Sequence, residues 1–268
     1  MSLRILFIGD VVGSPGRSAV SRVLPRLREQ HAPDVVIVNG ENAAGGFGIT
    51  AETALDLFRT GVDVITSGNH IWDKKDTATL LEREDRIIRP LNYPPGTAGQ
   101  GYTLVQISPG ITLAVMNVEG RVFMKNLDCP FRAMDAAIEQ VRQQTPLIFV
   151  DFHAEATSEK VSLGWHLDGR VSAVVGTHTH VQTADERILP QGTAYLTDVG
   201  MTGSFDSVIG IERHQAIQRF LTQQSVRFDV PKGNLRLNAV LIDMHVKDGK
   251  SYKIQRINEA ADALQRSS

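Results

Sequence analysis

Five apolar runs in this chain each end in a short polar motif rich in acids, amides or imidazoles. The motifs are GD at residues 9–10, NGEN at 39–42, GNH at 68–70, DFHAE at 151–155 and GTHTH at 176–180. The runs have the length and aliphatic content of strands that a sheet buries on both faces. Open α/β sheets bind ligands outside the carboxyl ends of such strands. The pattern therefore predicts an α/β fold with a functional site where the strands end.

Length and composition limit the class of protein. The 268 residues are 42% hydrophobic and contain no linker, repeat or low-complexity segment, so we expect one domain over residues 1–268. A net charge of −2 gives no general attraction to nucleic acid or anionic lipid. The single cysteine, Cys129, excludes an internal disulfide framework. With no apolar stretch of the ~20 residues that span a bilayer and no signal-peptide core, we expect a cytoplasmic protein.

Strand-like and helix-like patterns alternate over the first two-thirds of the chain. Ser14 is the expected cap of the first helix, and Pro25 is expected to kink or break it. Thr50 is the expected cap of the second helix. Alternating apolar runs on either side of residues 108–110 and 247–249 predict two antiparallel hairpins, and residues 258–268 predict a surface helix. We predict two packed mixed sheets with helices outside, an α/β sandwich; a single doubly wound sheet is the alternative.

The loop after the first strand does not have a nucleotide-binding pattern. The segment GDVVGSPG at residues 9–16 follows a strand and precedes a helix, but its glycines do not have the G-x-G-x-x-G spacing. No Gly-Lys-Ser/Thr follows it, and Asp10 would repel a pyrophosphate. The segment gives little support to the doubly wound alternative.

The five motifs supply more potential ligands than one tetrahedral ion accepts. These are Asp10, Glu41, Asn42, Asn69, His153, His178 and His180. Two ions need about ten coordination positions, some of them filled by bridging groups, and Glu41 could bridge through its two oxygens. Imidazole ligands favour Mn, Fe, Zn or Ni over Mg or Ca alone. The set predicts a dinuclear metal centre.

The spacing of two histidines supports a pair of ions. His178 and His180 lie at i and i+2, so in an extended segment their side chains would point the same way, roughly 6–7 Å apart. One imidazole would then serve each ion.

Taken singly, the other residues have ordinary explanations as helix cap, turn former or core histidine. Their shared position at strand ends favours the ligand interpretation.

Several residues near the motifs have open roles. Asp151 and Glu155 flank His153 and could orient its ring, or face away from it. Arg121 could reach a phosphate while Phe123 stacks on a base, or be an ordinary loop arginine. Residues 198–203 could line a pocket or only turn the chain.

The order GD, NGEN, GNH, DFHAE, GTHTH resembles the calcineurin-like metallophosphoesterase superfamily and, within it, the bacterial YmdB-type metallophosphodiesterases. The similarity covers nearly the whole chain. Val12 stands where the superfamily's GDxH motif has a histidine, and NGEN replaces the usual GD block. Both departures resemble the YmdB-type branch.

The resemblance implies a four-layer α/β sandwich of two mixed β-sheets flanked by helices, with a di-iron or di-manganese centre. It implies hydrolysis of phosphodiesters of the 2′,3′- or 3′,5′-cyclic nucleotide type by a hydroxide that bridges the ions. His70 would be the proton donor. The first ion would be held by Asp10, Glu41, Asn42 and His180, and the second by Glu41, Asn69, His153 and His178.

Two other functions stay open at this point. The same centre could bind a nucleotide without hydrolysis and act as a sensor, although a sensor needs no proton donor. It could also hydrolyse phosphomonoesters. The expected partner is a small phosphodiester; the sequence has no strong nucleic-acid signal and no membrane segment, and it leaves a homo-oligomer open.

Overall fold

The computed structural model describes residues 1–261, which form twelve strands and six helices. In chain order these are β1 (Ser2–Ile8), α1 (Gly13–His31), β2 (Val35–Asn39), α2 (Ala51–Arg59), β3 (Val64–Thr66), α3 (Thr77–Arg83), β4 (Tyr102–Ser108), β5 (Ile111–Glu119), α4 (Pro130–Val141), β6 (Ile148–His153), α5 (Thr157–Leu167), β7 (Ala173–Thr177), β8 (Arg187–Ile188), β9 (Ala194–Leu196), β10 (Gly203–Ser204), α6 (Arg213–Thr222), β11 (Leu235–His245) and β12 (Ser251–Ala260).

The strands form two sheets. One has the order β10-β11-β1-β2-β3, with β12 also paired to β11, and the other has the order β4-β5-β6-β7-β9-β8. In the first sheet β1, β2 and β3 are parallel, whereas β11 and β12 form an antiparallel hairpin. In the second sheet β5, β6, β7 and β9 are parallel, and β4 and β8 are antiparallel to their neighbours. Both sheets are mixed, as predicted.

Three apolar layers hold the sheets and helices together. Alternation along β1 shows the principle: Ile5 and Phe7 face the second sheet, whereas Leu6 and Ile8 face the helices. The ring centroids of Phe7 and Phe149 lie 5.0 Å apart across the space between the sheets. Helices α1, α2 and α3 cover the outer face of the first sheet, and α4 and α5 cover that of the second. The fold is the predicted four-layer α/β sandwich, and the single doubly wound sheet was wrong.

The first helix differs from its prediction at its start, and it does not break at Pro25. It begins at Gly13, and its N-cap residue, Val12, makes no side-chain cap hydrogen bond, so the prediction of Ser14 as cap was wrong. Pro25 lies inside α1 without ending it. Pro25 and Ser21, the residue four positions earlier, both face solvent, so the carbonyl that proline leaves without a donor can bond water.

The chain terminus was also partly mispredicted. Residues 258–260 belong to β12, because the hairpin with β11 runs on as far as the pair Arg236 and Ala260. The rest of the predicted helix falls largely on residues 262–268, outside the described residues. The hairpins, and Thr50 as cap of α2, are confirmed. In residues 1–261 no helix has the length and apolar character needed to cross a membrane.

Candidate metal centre

The parallel strands of both sheets place their carboxyl ends at one edge, and the five motifs lie there. A cavity of ≈ 330 Å³ opens at this edge, lined by Glu41, Asn42, His70, His178 and His180 among others. Asp10 and His153 are fully buried below it. The structure thus brings all seven predicted ligands to one place. Their role as ligands stays a prediction.

Three potential metal-ligand atoms surround the Nε2 atom of His153, which is itself a fourth. The Nε2 atom lies 2.9 Å from Asn69 Oδ1, 3.0 Å from His178 Nδ1 and 3.2 Å from Glu41 Oε1. Ligand atoms of Glu41, His153 and His178 all lie within 4.8 Å of one another. Two imidazole nitrogens, a carboxylate and an amide oxygen are a donor set that suits a transition-metal ion.

A second group of donors lies beside the first. His180 Nε2 is 3.9 Å from Asp10 Oδ1 and 3.4 Å from the Asn42 amide nitrogen, and that nitrogen donates to Glu41 Oε1 at 3.0 Å. Asp10 Oδ1 and Asn42 Oδ1 are buried and have no hydrogen-bond partner among the described residues. Buried oxygens without donors are costly unless a cation or water contacts them. These two orphaned atoms fit a metal ion.

The buried carboxylates of Glu41 and Asp10 differ in their electrostatic environment. Burial disfavours the charge of Glu41, yet His153 at 3.2 Å outweighs it and lowers the pKa of Glu41 to about 2. Burial also opposes the charge of His153, but Glu41 and then Asp10 raise the pKa of His153 to about 9. Asp10 lies 4.0 Å from the same ring, and there burial dominates and raises its pKa. Without metal, the site therefore holds a protonated His153 paired with Glu41.

His178 differs from His153 because burial and a positively charged neighbour outweigh the effect of Glu41 on its ring. Burial and then the positive charge of His153 lower the pKa of His178 to about 3. Its ring is neutral over the physiological range, and Nδ1 can offer a lone pair to the cluster. Glu155 Oε2 lies 3.1 Å from His178 Nε2, on the other side of the ring. Glu155 therefore orients His178 and not His153.

The loop that carries the GNH motif packs directly on His153. A Cβ atom at Gly68 would lie 2.2 Å from His153 Cδ2, so no other residue fits there. The NGEN motif continues into a turn over residues 41–46. A turn lets the neighbouring side chains of Glu41 and Asn42 face the same cluster.

The GTHTH motif has a different backbone from the one predicted. His178 has φ 97° and His180 has φ 67°, so the segment is not extended and the simple i, i+2 argument was wrong. Both rings nevertheless line the cavity, His178 beside His153 and His180 beside Asp10. Two left-handed residues are costly, and surrounding contacts must hold them.

A buried ion pair supplies those contacts. Asp198 accepts hydrogen bonds from the Thr179 N–H at 3.1 Å and the Thr179 hydroxyl at 2.6 Å. The ammonium of Lys160, itself buried, lies 2.7 Å from the same carboxylate. The loop after β9 therefore anchors the segment that carries the two histidines.

His70 lines the cavity next to the cluster but does not join it. Its Nδ1 lies 2.7 Å from Asp73 Oδ2, and its ring packs edge-on against Phe47 at a centroid distance of 4.9 Å. Its backbone N–H donates to Glu41 Oε2 at 3.0 Å. Asp73 fixes the ring, so Nε2 is the nitrogen left for a bound molecule.

A family model described as YmdB-like protein matches residues 6–257. The chain belongs to the YmdB-like family. Across 95% of its length it is 52% identical to a Bacillus subtilis protein named 2′,3′-cyclic-nucleotide 2′-phosphodiesterase, covering 96% of that protein. Over 270 residues, 97% of this chain and 94% of the relative, it is 37% identical to a Mycoplasma pneumoniae protein named putative phosphatase/phosphodiesterase.

Two solved structures of similar sequence share this YmdB-like fold. One is a hypothetical protein from Thermus thermophilus, with a TM-score of 0.90, 44% identity and coverage of 96% of this chain and 99% of the other. The other is titled a novel phosphatase, from Mycoplasma pneumoniae, with a TM-score of 0.90, 35% identity and coverage of 97% and 94%. The family and the fold inferred from the motifs are confirmed.

Sequence reasoning missed several residues of this YmdB-like site. Asp73 follows His70 by three positions in GNHIWD, and that spacing could have revealed it. The apolar side chains of Phe47, Phe228 and Val230 line the cavity from loops that have no sequence signal. Arg121 and Phe123 are exposed and are not among the residues that line the cavity.

Proposed function

We propose that this YmdB-like chain is a metal-dependent phosphodiesterase that opens 2′,3′-cyclic nucleotides. The observation that carries the proposal is the convergence of three donor atoms within 3.2 Å of His153 Nε2, at a cavity that His70 also lines. The name of the Bacillus subtilis relative, 52% identical, supports the substrate class.

The donors divide into two groups that share Glu41. The first group lies around the orphaned oxygen of Asp10 and the second around Nε2 of His153. Two bound ions would lower the pKa of a water they share from about 15.7 toward 7 and would neutralise charge on the phosphoryl oxygens. Iron or manganese is the proposed pair, because both accept imidazole, carboxylate and amide oxygen together. The first ion would be held by Asp10, Glu41, Asn42 and His180, and the second by Glu41, Asn69, His153 and His178.

His70 would act as the general acid. Asp73 accepts a hydrogen bond from Nδ1–H of His70 and leaves Nε2–H to donate. As water oxygen bonds to phosphorus and the bond from phosphorus to the ribose 2′ oxygen breaks, that oxygen takes the proton of Nε2. Such a proton transfer contributes typically ~10²–10⁴-fold to the rate.

The apolar part of the cavity supports a nucleotide as substrate. Phe47, Phe228 and Val230 offer a surface on which a nucleobase can pack, and stacking of this kind accepts any base. We therefore expect weak base preference.

Turnover by defined metal forms tests the proposal. Protein purified without oxygen is analysed for metal, stripped, and reloaded with Mn²⁺ or Fe²⁺. Each form is then assayed with 2′,3′-cyclic AMP, 3′,5′-cyclic AMP, and the mono- and diester p-nitrophenyl phosphates. We expect about two ions per chain and metal-dependent conversion of 2′,3′-cyclic AMP to 3′-AMP.

Other outcomes contradict the proposal in different ways. Tight binding of the cyclic nucleotide without hydrolysis, with both ions present, would identify a sensor. Faster turnover of the p-nitrophenyl monoester than of either cyclic nucleotide would identify a phosphomonoesterase. Equal turnover by the stripped protein would exclude a metal-dependent reaction.

A further inference from the structure

Another carboxylate, that of Asp151, lies fully buried between the two sheets below the proposed metal centre. Its Oδ1 accepts a hydrogen bond from the Thr177 hydroxyl at 2.7 Å. Its Oδ2 accepts from the Thr66 hydroxyl at 2.5 Å and from the Asn39 amide at 2.9 Å. Two of these donors belong to the first sheet and one to the second, so the carboxylate joins the sheets at the edge where the site lies.

Asp151, Thr177 and His153 form a short hydrogen-bond relay, and the hydrogen bonds of Thr177 define its direction. A hydroxyl has one proton, and Thr177 uses it to donate to Asp151. Thr177 Oγ1 also lies 2.8 Å from His153 Nδ1 and can only accept there, so Nδ1 must carry a proton. When the ring gives up its other proton to become a ligand, the lone pair that a metal requires is therefore on Nε2, the nitrogen that faces Glu41, Asn69 and His178.

We propose that Asp151 is a positioning residue that, through Thr177, fixes a proton on Nδ1 of His153 and so presents Nε2 to the second metal ion. The inference rests on the proposed metal centre. Carboxylates and carbonyls commonly orient metal-bound histidines directly. Here a hydroxyl stands between the carboxylate and the ring.

The same carboxylate also holds the other side of the site. Asn39 donates a hydrogen bond to Asp151. Its Oδ1 also accepts one from the backbone N–H of Glu41 at 3.2 Å. Thr66, which also donates, precedes the loop that carries Asn69. Loss of Asp151 would therefore affect both sheets, whereas loss of the Thr177 hydroxyl alone removes the link to His153.

The substitution Asp151→Asn would reverse the direction of the hydrogen bonds in the relay. Asn39 can only donate through its amide nitrogen, so Asp151→Asn would place its oxygen toward Asn39 and its nitrogen toward Thr177. Thr177 would then accept from that nitrogen and donate to Nδ1 of His153. The single proton of the neutral ring would then be on Nε2, where it would compete with the metal.

Titration of metal-free protein with Mn²⁺ tests the relay, with calorimetry and metal analysis as readouts. Thr177→Val should weaken binding of one of the two ions by ~10–100-fold, the usual effect of losing a residue that orients a ligand. Thr177→Ser keeps the hydroxyl and should restore that affinity. Thr66→Val is the matched control, because it also removes a hydroxyl donor to Asp151 but does not contact His153. Asp151→Asn should weaken the same ion at least as much as Thr177→Val.

The outcomes separate this inference from the proposed function. If Thr177→Val binds both ions like the unmodified chain, or if Thr66→Val weakens them equally, the relay is wrong while the metal centre stands. If the unmodified chain binds no metal, both fail. If Thr177→Val does not fold, as judged by its thermal transition without metal, Asp151→Asn decides in the same titration.

Discussion

The backbone N–H of His70 donates to Glu41 Oε2 at 3.0 Å, so the loop of the proposed acid is tied to a proposed metal ligand. The hydrogen bond comes from the main chain and survives any substitution of the His70 side chain except proline. The chemistry of the imidazole can therefore be removed without loosening Glu41. This separates proton donation from metal binding in experiments.

Replacing His70 with alanine should abolish most turnover and leave the metal bound. We expect kcat on 2′,3′-cyclic AMP to fall by ~10²–10⁴-fold, because the leaving ribose oxygen loses its proton donor. Steady-state kinetics on fully loaded protein measures this. The rate on bis-p-nitrophenyl phosphate should fall much less, since its leaving group needs little protonation. An equal fall on both esters would point to lost metal instead.

Asp73→Asn should have a smaller effect than the loss of His70 itself. Asp73 holds the ring through Nδ1 but does not touch a substrate, so we expect kcat to fall by about 10-fold, as for other residues that act through a neighbour. The comparison of kcat on 2′,3′-cyclic AMP with the rate on bis-p-nitrophenyl phosphate is the informative measurement. The variant no longer holds the ring through Nδ1, so the rate on the cyclic nucleotide should fall while the rate on the activated ester changes little. An unchanged kcat on the cyclic nucleotide would show that Asp73 has no part in the acid step.

Replacing Glu41 with alanine should remove metal. Glu41 is fully buried, contacts His153 at 3.2 Å and accepts from Asn42, so both proposed groups of donors depend on it. We expect at most one ion per chain by metal analysis. Glu41→Gln is the matched variant: it keeps an oxygen but no charge, and should bind more weakly than the unmodified chain. Two full equivalents in the alanine variant would contradict a shared ligand.

The sequence predicted the place of the site because strand ends leave a regular pattern. The apolar runs and the polar residues that end them are local features, and parallel strands bring such ends together without any long-range information. The place of Asn69 and His70 at this edge could be predicted for the same reason, because both belong to one motif that follows a strand. The positive φ of His178 and His180 could not be predicted, because it depends on Asp198 and Lys160, residues from other parts of the chain.

The position of Asp151 could be predicted from the sequence only in part. On β6, alternation places Phe149, Asp151 and His153 on one face, toward the other sheet. The sequence therefore contained the fact that Asp151 shares the side of His153. It did not show that Thr177 stands between them, since that contact requires the register of β6 and β7. Strand pairing is a property of the whole fold.

Metal-free protein should lose stability at alkaline pH. In the folded chain Glu41 raises the pKa of the buried His153 from its ordinary 6.5 to about 9, against the opposing effect of burial. A raised pKa means that the folded state retains its proton where the unfolded state loses it. This contribution is complete below pH 6.5 and disappears as the pH rises to about 9. Urea denaturation of stripped protein across this range should show a falling free energy of unfolding.

The variant Glu41→Gln tests the cause of that slope. Without the carboxylate, the pKa of His153 has less reason to exceed its ordinary value, and the decline between pH 6.5 and 9 should become shallower. Saturating Mn²⁺ should also remove the decline, because the metal replaces the proton on Nε2. A free energy of unfolding that stays level in unmodified, metal-free protein would show that His153 and Glu41 are not an ion pair in solution.

Breaking the buried pair of Lys160 and Asp198 should destabilise the fold and disturb the site together. The pair is 2.7 Å long with both side chains at 2% exposure or less, and removing one member of a buried pair typically costs about 3–5 kcal/mol. Lys160→Met should therefore lower the free energy of unfolding by this amount in metal-free protein. The double change Lys160→Met with Asp198→Asn should recover part of it, since no unpaired charge remains. A loss of only about 0–1 kcal/mol, as for exposed ion pairs, would mean that solvent reaches the pair and that the segment of His178 and His180 is held by other contacts.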